Sequence, residues 1–522
     1  MKTKSNYLLL SAFLGGILFN YLFWTERLAL NLLIYSVFIL TITYFNKEVN
    51  KGIKFKIYGL AHFIAALLVV INNSALTLVT YYISLLLFVG FSHYPTIRTV
   101  FTGILAAVIQ IITIPFGFIN KLSFVQIGRF KLMLLLRPLK YIILPILILV
   151  VFAGIYSAAN DVFANYLGIF LTNISNFIYN TFSFIFKDIS LPRLLHILLG
   201  IILTGGLLIT FYSKGLENVE GKCTEQLLRI RKHLQKPGVW RELIQIFSGN
   251  ITTRKTALKT EYIIGVISFV GLNLLLLCVN AIDMTTLWFG YKPSGNFSSD
   301  LHQGTNALIF SIVMAMAVIL YFFRGNLNFY SKSKSLKILA YAWMVQNMIL
   351  IISVFIRDGY YIEYHGLTHK RIGVLVFAIL CIIGLTTVYL KVAKQKTLFY
   401  LFKVNGNIWF ILLLAFSTIN WDVFIVKYNF SHADRIAIDQ DYMLSLSEKT
   451  LPTLDQNRKS LTAHVSNNRS QQEVIITTPE NQLQEILDNR IEYFKERYKK
   501  TGWLSWNLQD WNTAEYFGLN KK

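Results

Sequence analysis

Long apolar stretches alternate with short polar ones along the chain, as far as about residue 430. The cores of these stretches are nearly free of Lys, Arg, Asp and Glu, and a helix needs about 20 such residues to cross a bilayer. Lipid offers no hydrogen-bond partners, so the backbone must satisfy its own groups inside each stretch. The pattern predicts an all-α, polytopic transmembrane helical bundle of about twelve spans. The segments are 7–24, 28–45, 57–71, 75–92, 99–120, 140–158, 194–213, 262–282, 305–323, 338–356, 372–390 and 406–426.

Two places in the first half of the chain allow more than one structure. The third and fourth segments are joined only by Asn72, Asn73 and Ser74, which fits either a tight hairpin or a broken helix. Residues 161–187 form an apolar run that asparagines interrupt. An interfacial amphipathic helix is the first interpretation of this run, and a further spanning helix is the alternative.

Lysines and arginines cluster in some connecting loops and not in others, and the positive-inside rule assigns such loops to the cytoplasm. With the segments counted as above, one predicted cytoplasmic side holds the loops 121–140, 214–259, 324–337 and 391–403. The loops 283–304 and 357–371, and the C-terminal tail, are then predicted to face outward. The lysine-rich residues 46–56 disagree, since the same count places them outside.

The composition divides the chain into four regions. Residues 1–213 are predicted to form an N-terminal membrane region and residues 260–426 a membrane core. Between them lies the basic cytoplasmic loop 214–259, which is predicted to contain amphipathic helices. Residues 427–522, the only long polar part, are predicted to form a small helical tail.

Two amphipathic helices are predicted in the basic loop. The first begins at Thr224, with Leu227 and Leu228 on its apolar face and Arg229 opposite, and the second is Trp240–Phe247. Basic amphipathic helices beside a membrane bind anionic lipid. We therefore expect two partners, the lipid bilayer itself and anionic lipid at its cytoplasmic face.

The clearest helix of the tail has Thr478 as its N-cap and Pro479 at its first position. Apolar residues then recur at helical spacing: Leu483, Ile486, Leu487, Ile491, Phe494 and Tyr498. Trp503 and Trp506 follow closely. Tryptophans beside a membrane are enriched at its interface with water, and packing against the preceding helix is an equal alternative.

Overall composition supports the membrane class. Of the 522 residues, 54% are hydrophobic and 15% are charged, and the mean hydropathy is +0.51. The net charge of +23 comes from basic residues in short loops, so no nucleic-acid partner is expected. Three cysteines do not make a disulfide framework. The sequence leaves protein partners open.

Polar residues gather at segment ends on the predicted outward side. Acid, base and imidazole groups held together can perform acid–base chemistry or hold a metal. The candidate catalytic residues are His302, Asp358 and Glu363. The candidate substrate-binding residues are Asp283, Arg357, Arg371, Asn280, Gln346 and Asp422. His365 and His369 are weak metal candidates, because on one continuous helix this spacing would place both on the same face.

Several of these groups also have a structural explanation. Ion pairing between helix ends is the first interpretation of Arg357 and Arg371, and binding of an anionic head group is the alternative. Asn280 and Gln346 are polar within apolar runs, and such residues either bond across a helix interface or line a water-filled path. No cofactor or metal is expected, since the sequence lacks an HExxH pair, zinc-site spacing and a P-loop.

A set of short stretches, all in the second half of the chain, carries a family resemblance. They are 280–283, 301–304, Ser311, 324–326, 342–347, 366–373, 420–422, 433–434 and 503–507. In this order they resemble the bacterial integral-membrane family of domain of unknown function 4173, whose sister family is 4153, over about residues 200–510. The resemblance implies a multi-pass protein of the bacterial cytoplasmic (inner) membrane without an established activity. His365 stands where the family pattern has a Tyr, so the resemblance does not support a metal site there.

Three functional hypotheses follow from the sequence. The first is a non-enzymatic envelope protein, acting as a sensor, scaffold or regulator, since catalytic and transport signatures are missing. The second is a transporter or lipid-handling protein that uses a helix bundle lined by asparagine and glutamine. The third is a membrane enzyme acting on an envelope substrate, with His302 and either Asp358 or Glu363 as acid and base.

Overall fold

The structure is a computed structural model, which describes most of the chain. It covers residues 2–47, 49–122, 126–127, 130–131, 149, 152–182, 190–209, 214–229, 250–251, 255–289, 297–436, 438–462 and 480–519. The chain divides into two compact units. Unit 1 comprises Met1–Ile97, Thr102–Glu217 and Thr501–Asn507, and unit 2 comprises Arg98–Phe101, Asn218–Lys500 and Leu508–Lys522.

Helices make up nearly all of the described secondary structure. In the first half they are α1 Lys2–Phe23, α2 Leu30–Phe45, α3 Ile53–Asn72, α4 Ala75–His93, α5 Val100–Leu122, α6 Asp161–Phe182, α7 Leu191–Leu208 and α8 Lys214–Gly221. In the second half they are α9 Lys255–Asp283, α10 Phe297–Phe322, α11 Ser333–His365, α12 His369–Ala393, α13 Leu398–Phe416, α14 Trp421–Ser431, α15 Gln440–Ser445, α16 Leu451–Gln456, α17 Arg458–Thr462, α18 Glu480–Lys500 and α19 Leu508–Tyr516. Two strand pairs of two residues each complete the list: β1 Gln126–Ile127 with β2 Phe130–Lys131, and β3 Leu228–Arg229 with β4 Asn250–Ile251.

Within the described residues, six helices are long and apolar enough to cross a membrane. They are Ile53–Asn72, Ala75–His93, Leu258–Trp288, Ser333–His365, His369–Ala393 and Leu398–Phe416. Shorter apolar helices occupy Tyr7–Phe23, Leu30–Phe45, Val100–Ile114, Pro192–Leu208 and Ala307–Phe322. The predicted all-helical membrane class is confirmed. Most of the predicted segment 140–158 lies outside the described residues, and the predicted number of spans stays a prediction.

In unit 1, the third and fourth segments form the tight hairpin and not a broken helix. Asn73 ends α3 in the left-handed region, with φ at 41°. Ser74 then caps α4 by accepting a hydrogen bond from the backbone N–H of Thr77, which satisfies a donor that the helix start leaves open. His62 on α3 is fully buried and its Nδ1 lies 2.9 Å from Ser84 Oγ on α4, so this histidine has a packing role inside the hairpin.

Glycines let α1 and α7 approach closely in the same unit. A Cβ atom added at Gly16 would lie 2.2 Å from Ile201 Cγ1 and 2.8 Å from its backbone nitrogen. A Cβ at Gly200 would meet the side chain of Phe19 at 2.8 Å. Small residues at such crossings let two backbones approach and pack by dispersion, which is the main attraction between helices in lipid.

The lysine-rich turn 46–56 lies at the same end of unit 1 as the start of the basic loop. Lys54 Nζ donates to the backbone oxygens of Pro95 and Ile97, and Thr96 donates to the carboxylate of Glu217. The prediction that these lysines lie on the opposite side from loop 214–259 is therefore wrong. That prediction depended on counting spans through segment 140–158, most of which is outside the described residues.

Residues 161–182 form the helix α6, whose side chains are mostly exposed where they are described. The helix is not among the six described helices that meet the length and hydropathy of a membrane span. Its asparagines lower the hydropathy of an otherwise apolar surface. The choice between the interfacial amphipathic helix and the further spanning helix stays a prediction.

In unit 2, α9 and α11 run parallel and form the core together with α10 and α12. Phe269 on α9 packs against Phe322 on α10 and Trp343 on α11, and all three belong to one buried cluster. The cluster extends to Leu385 on α12. Helices α9 and α11 are parallel and α10 lies between them in sequence, which fits three successive crossings of a membrane by α9, α10 and α11.

The last predicted span, 406–426, is placed wrongly. Helix α13 begins earlier, with Thr397 capping its start by accepting from Tyr400 N–H, and it ends at Phe416. A polar turn follows, and Asn420 caps a separate helix, α14, by accepting from Val423 N–H. The apolar run that the sequence shows is therefore divided between two helices, because Asn420 satisfies a helix start in the middle of it.

The basic loop 214–259 differs from its prediction where it is described. A short helix, α8, precedes Thr224 instead of following it. Gln226 forms a β-bridge with Lys396, and Leu227 N–H donates to Gln395 O. The predicted helix from Thr224 is therefore wrong at its start, since these backbone groups bond to another part of the chain. The predicted second helix, Trp240–Phe247, lies outside the described residues.

The two ends of unit 2 differ in their charges. At the end that we call the basic end, Arg324 pairs with Glu261 at 3.4 Å and Lys403 with Glu225 at 2.5 Å. The other end carries the junctions α9–α10, α11–α12 and α13–α14, and we call it the cap end. This grouping of loops agrees with the charge pattern for 324–337, 391–403 and the described start of 214–259.

Tail residues 438–462, 480–500 and 508–519, which we call the cap, pack on the cap end of unit 2. Leu483, Leu487, Ile491 and Phe494 are buried, as the spacing in α18 predicts. They share one hydrophobic cluster with Leu367 in the turn before α12, Ile372 in α12 and Ile425 in α14. The predicted helix start at Thr478 and Pro479 lies outside the described residues.

Candidate functional site

The parallel helices α9 and α11 share a line of polar side chains, which we call the seam. Gln346 Nε2 donates to Asn273 Oδ1 at 2.8 Å, and Asn273 Nδ2 donates to Leu339 O at 3.0 Å. About two turns further along both helices, Asn280 Nδ2 donates to Gln346 O at 3.1 Å. The polar residues of these apolar helices thus bond across the interface, which was the first of the two sequence interpretations.

An ion pair closes the seam at the cap end. Arg357 Nη2 lies 2.5 Å from Asp283 Oδ1, and both side chains are largely buried. Beside it, Trp288 Nε1 donates to Ser353 Oγ at 3.0 Å. The sequence predicted pairing between helix ends but did not identify the partner. In the structure, the partner of Arg357 is the carboxylate of Asp283 on α9. Arg371 belongs to a different group of polar residues.

Three groups in the seam keep an open bonding position within the described residues. They are Asn280 Oδ1, Asp283 Oδ2 and Gln346 Oε1, all buried acceptors without a hydrogen-bond donor. A buried polar atom without a partner lowers the stability of the fold by about 1–3 kcal/mol. The seam therefore contains more polar groups than the hydrogen bonds between its helices use.

Asp358 and Arg371 form a second polar layer beside the first. Asp358 is buried, and its Oδ2 has no hydrogen-bond donor among the described residues. Arg371 Nη1 donates to His365 O at 2.8 Å and to Gly366 O, and its guanidinium lies 4.2 Å from the ring centre of Tyr361. Arg371 therefore caps the end of α11, because it binds carbonyl oxygens that the helix leaves open.

His365 and His369 do not share a helix. Helix α11 ends at His365, and Gly366 has a φ of +76°, which favours glycine. Thr368 then caps α12, which begins at His369. The prediction of one shared helical face is wrong, since this turn interrupts the helix. No group of three or more His, Cys, Asp or Glu suited to a metal occurs in the part of the chain that the structure describes.

A cluster of hydrogen bonds ties His369 to the cap. His369 Nε2 lies 2.7 Å from Asp422 Oδ1, and Ser447 N–H donates to Asp422 Oδ2 at 3.3 Å. His369 N–H donates to the hydroxyl of Tyr442 at 2.9 Å. Burial alone would raise the pKa of Asp422, but the hydrogen bonds from His369 and Ser447 outweigh it and hold the pKa below its ordinary value.

Glu363 and His302 are the two remaining candidates. Glu363 is exposed on the last turns of α11. His302 lies in the early turns of α10, and its side chain is outside the described residues. The acid and base pairing of His302 with Asp358 or Glu363 stays a prediction.

Sequence reasoning missed several residues that organise this region. Asn429 on α14 accepts from Leu367 N–H at 2.6 Å and donates to Leu367 O at 3.0 Å, which fixes the turn after α11. At the basic end, buried Lys391 donates to Phe323 O at the end of α10. Its position near the end of an apolar run was a usable signal. Asn429 gave none, because an asparagine in a polar tail has no distinctive pattern.

These helices and polar layers define a membrane-embedded helical protein with a polar cap. The family model described as Domain of unknown function (DUF4153) matches residues 57–457. The match covers more than half of the chain, and the chain belongs to this family. The sequence resemblance placed the chain in family 4173, with 4153 as its sister, and the match corrects that number. No curated protein and no solved structure matches the chain.

Proposed function

We propose that the protein is a non-enzymatic scaffold or sensor of the bacterial cytoplasmic membrane, with about twelve spans and an outward cap. The observation that carries this proposal is the hydrophobic cluster that the cap shares with the ends of the membrane helices. Leu367 and Ile372, in the turn before α12 and at its start, pack in the same cluster as the cap residues. Burial of several large apolar side chains at one joint contributes several kcal/mol, enough to hold the cap in one position.

Polar bonds make this joint directional as well as tight. His369 N–H donates to Tyr442 of the cap, and Ser447 of the cap donates to Asp422, which binds His369. Asn429 binds both backbone groups of Leu367 and also contacts Met443 of the cap. A displacement of the cap would therefore act on the α11–α12 turn and on the first turn of α12. A signal received by the cap has a rigid route into the membrane helices, which is what a sensor or scaffold requires.

The test compares two groups of variants in a strain that lacks the gene. Asn429→Ala weakens the joint, since Leu367 loses both hydrogen bonds, and Asn280→Leu with Gln346→Leu removes polar groups from the seam. Each variant is assayed for membrane level, thermal stability in detergent and rescue of the deletion phenotype. The scaffold proposal expects Asn429→Ala to lose rescue at unchanged membrane level, and the seam variant to keep it.

A transporter or lipid-handling protein is the second candidate. The observation that favours it is the set of buried acceptors at Asn280, Asp283 and Gln346, which offer bonding positions to a polar solute. This candidate expects the opposite result: the seam variant stays folded and loses rescue, while Asn429→Ala retains it. That outcome would replace the scaffold proposal.

A membrane enzyme is the third hypothesis of the sequence, and it depends on His302. His302→Ala at full rescue would remove it. Labelling of a cysteine at position 302 only from the cytoplasmic side would also contradict the proposed orientation, in which the cap end faces outward and the basic end faces anionic lipid at the cytoplasmic face.

A further inference from the structure

The segment Gly502–Asn507 docks on the turn between α1 and α2 in unit 1. Arg27 N–H donates to Ser505 Oγ at 2.8 Å, and Leu30 N–H donates to Trp506 O at 3.2 Å. The Ser505 hydroxyl also donates to the carboxylate of Glu26. The segment is therefore held by its backbone and by one small side chain, and its conformation is fixed against the end of α1.

Docking buries one face of this segment and exposes the other. Leu504 is 5% exposed and joins the core cluster of unit 1, and Ser505 is 4% exposed. By contrast, Trp503 is 61% exposed and Trp506 is 37% exposed. Two large aromatic side chains are thus exposed on a segment that is otherwise packed, and tryptophan is enriched where one part of the side chain meets an apolar phase and the other meets water.

Neighbouring contacts give the level of this aromatic face relative to the membrane helices. Asn73, in the turn between the two membrane-capable helices α3 and α4, donates through its side chain to Leu28 O at 2.8 Å. Leu28 lies two residues before Leu30, which binds Trp506. The docked segment is therefore level with the point where α3 ends and α4 begins, and two consecutive helices of spanning length place the turn between them at a boundary of the bilayer.

We propose that Trp503 and Trp506 form an interfacial anchor, which inserts into the lipid head-group region beside the α1–α2 turn. An indole places an apolar ring against acyl chains while its N–H bonds to polar head groups, and tryptophan is enriched at that depth for this reason. Arg27 is exposed beside the docked segment. This cation suits the phosphates of the same region.

The proposal chooses between the two alternatives that the sequence left open. Packing of the tryptophans against the preceding helix would bury them. Here the buried residues of the segment are Leu504, Ser505 and Asn507, whereas Trp503 and Trp506 keep 61% and 37% of their surface exposed. The anchor fixes the level of the α1–α2 turn and is independent of the function proposed above.

The test measures quenching of tryptophan emission for the full chain in vesicles of phosphatidylcholine and phosphatidylglycerol. One set of vesicles contains phosphatidylcholine brominated near the head-group end of its chains, and aqueous iodide is the second quencher. The variants are Trp503→Phe, Trp506→Phe and the pair. We expect both substitutions to remove emission that brominated lipid quenches and iodide quenches weakly, with the largest loss in the pair.

Trp511→Phe is the matched control, because Trp511 lies in α19, outside the docked segment and partly buried. It should leave the lipid-quenched emission unchanged. If the emission removed by Trp503→Phe and Trp506→Phe is quenched by iodide and not by lipid, the indoles face water and the proposal fails. If neither quencher affects it, the indoles pack on protein, and the proposal fails as well. Circular dichroism of each variant checks that the exposed substitutions leave the helices intact.

Discussion

The seam inside the membrane bundle and the cap outside it solve the same problem of polar burial in different ways. In the seam, neutral amides bond to backbone oxygens and to each other, and a single ion pair lies at the cap end. In the cap, each of two arginines binds two carboxylates: Arg458 with Asp455 and Asp488, and Arg497 with Glu448 and Asp510.

The difference follows from the surrounding medium. A charge that leaves water for a low-dielectric interior loses several kcal/mol of solvation, whereas a neutral amide loses much less. The seam therefore uses charge once, at Asp283 and Arg357, where the bundle meets its polar end. The cap keeps partial contact with water and can use charge networks freely. Stability in the seam should depend on one pair, and in the cap on many.

Arg357→Leu should give the largest loss of stability. It leaves the buried carboxylate of Asp283 without its partner, and removal of one member of a buried pair costs about 3–5 kcal/mol. The midpoint of thermal unfolding in detergent measures this loss. The double variant Asp283→Leu with Arg357→Leu should recover most of it, since no unpaired charge remains. A double variant as unstable as the single one would contradict this account of the pair.

Asp422→Asn should cost about 1.5–3 kcal/mol, the value of a hydrogen bond to a charged group. The folded pKa of Asp422 is lowered, so its contribution is complete above the pKa of an unfolded aspartate, about 3.9, and is lost as pH falls through the lower folded value. Unfolding of the cap measured over acidic pH should show a steeper loss in the parent chain than in Asp422→Asn. Equal profiles would mean that Asp422 is not held as a carboxylate.

Lys449→Met should raise the stability of the cap at neutral pH, by about 1–3 kcal/mol. Burial lowers the pKa of Lys449 from 10.5 to about 8. Between these two values the unfolded chain binds more protons than the folded one, so stability of the parent rises with pH across that window. The variant should lack this rise. Lys459→Met, at an exposed position of the cap, is the control and should keep it.

The same contrast explains what the sequence could predict. Apolar length identified the membrane helices, and helical spacing identified the buried face of α18, because both are local properties of the chain. The seam bonds of Asn280 and Gln346 were foreseen as one of two options, since a polar residue in lipid must find a partner. That these two side chains are buried could therefore be predicted without knowing which helix packs against them.

Long-range pairings were not accessible in this way. Asp283 meets Arg357, and Asn429 meets Leu367, only after several helices have packed. The spacing of His365 and His369 suggested one helix, but Gly366 between them adopts a backbone that ends it. The break inside 406–426 was missed for a related reason: Asn420 reads as a polar residue in a span until its hydrogen bond to Val423 N–H identifies a new helix start.

Gln346→Leu should give the smallest effect, about 0.6 kcal/mol, the average measured for a polar bond between membrane helices. The substitution removes the bond to Asn273 Oδ1 but leaves the backbone oxygen that binds Asn280. It also removes a buried acceptor without a donor, which offsets part of the loss. Thermal unfolding in detergent measures the change, and Val345→Leu, on the exposed side of α11, should match the parent chain. A loss as large as that of Arg357→Leu would show that the amides, and not the ion pair, hold α9 to α11, and the contrast between seam and cap would then need another cause.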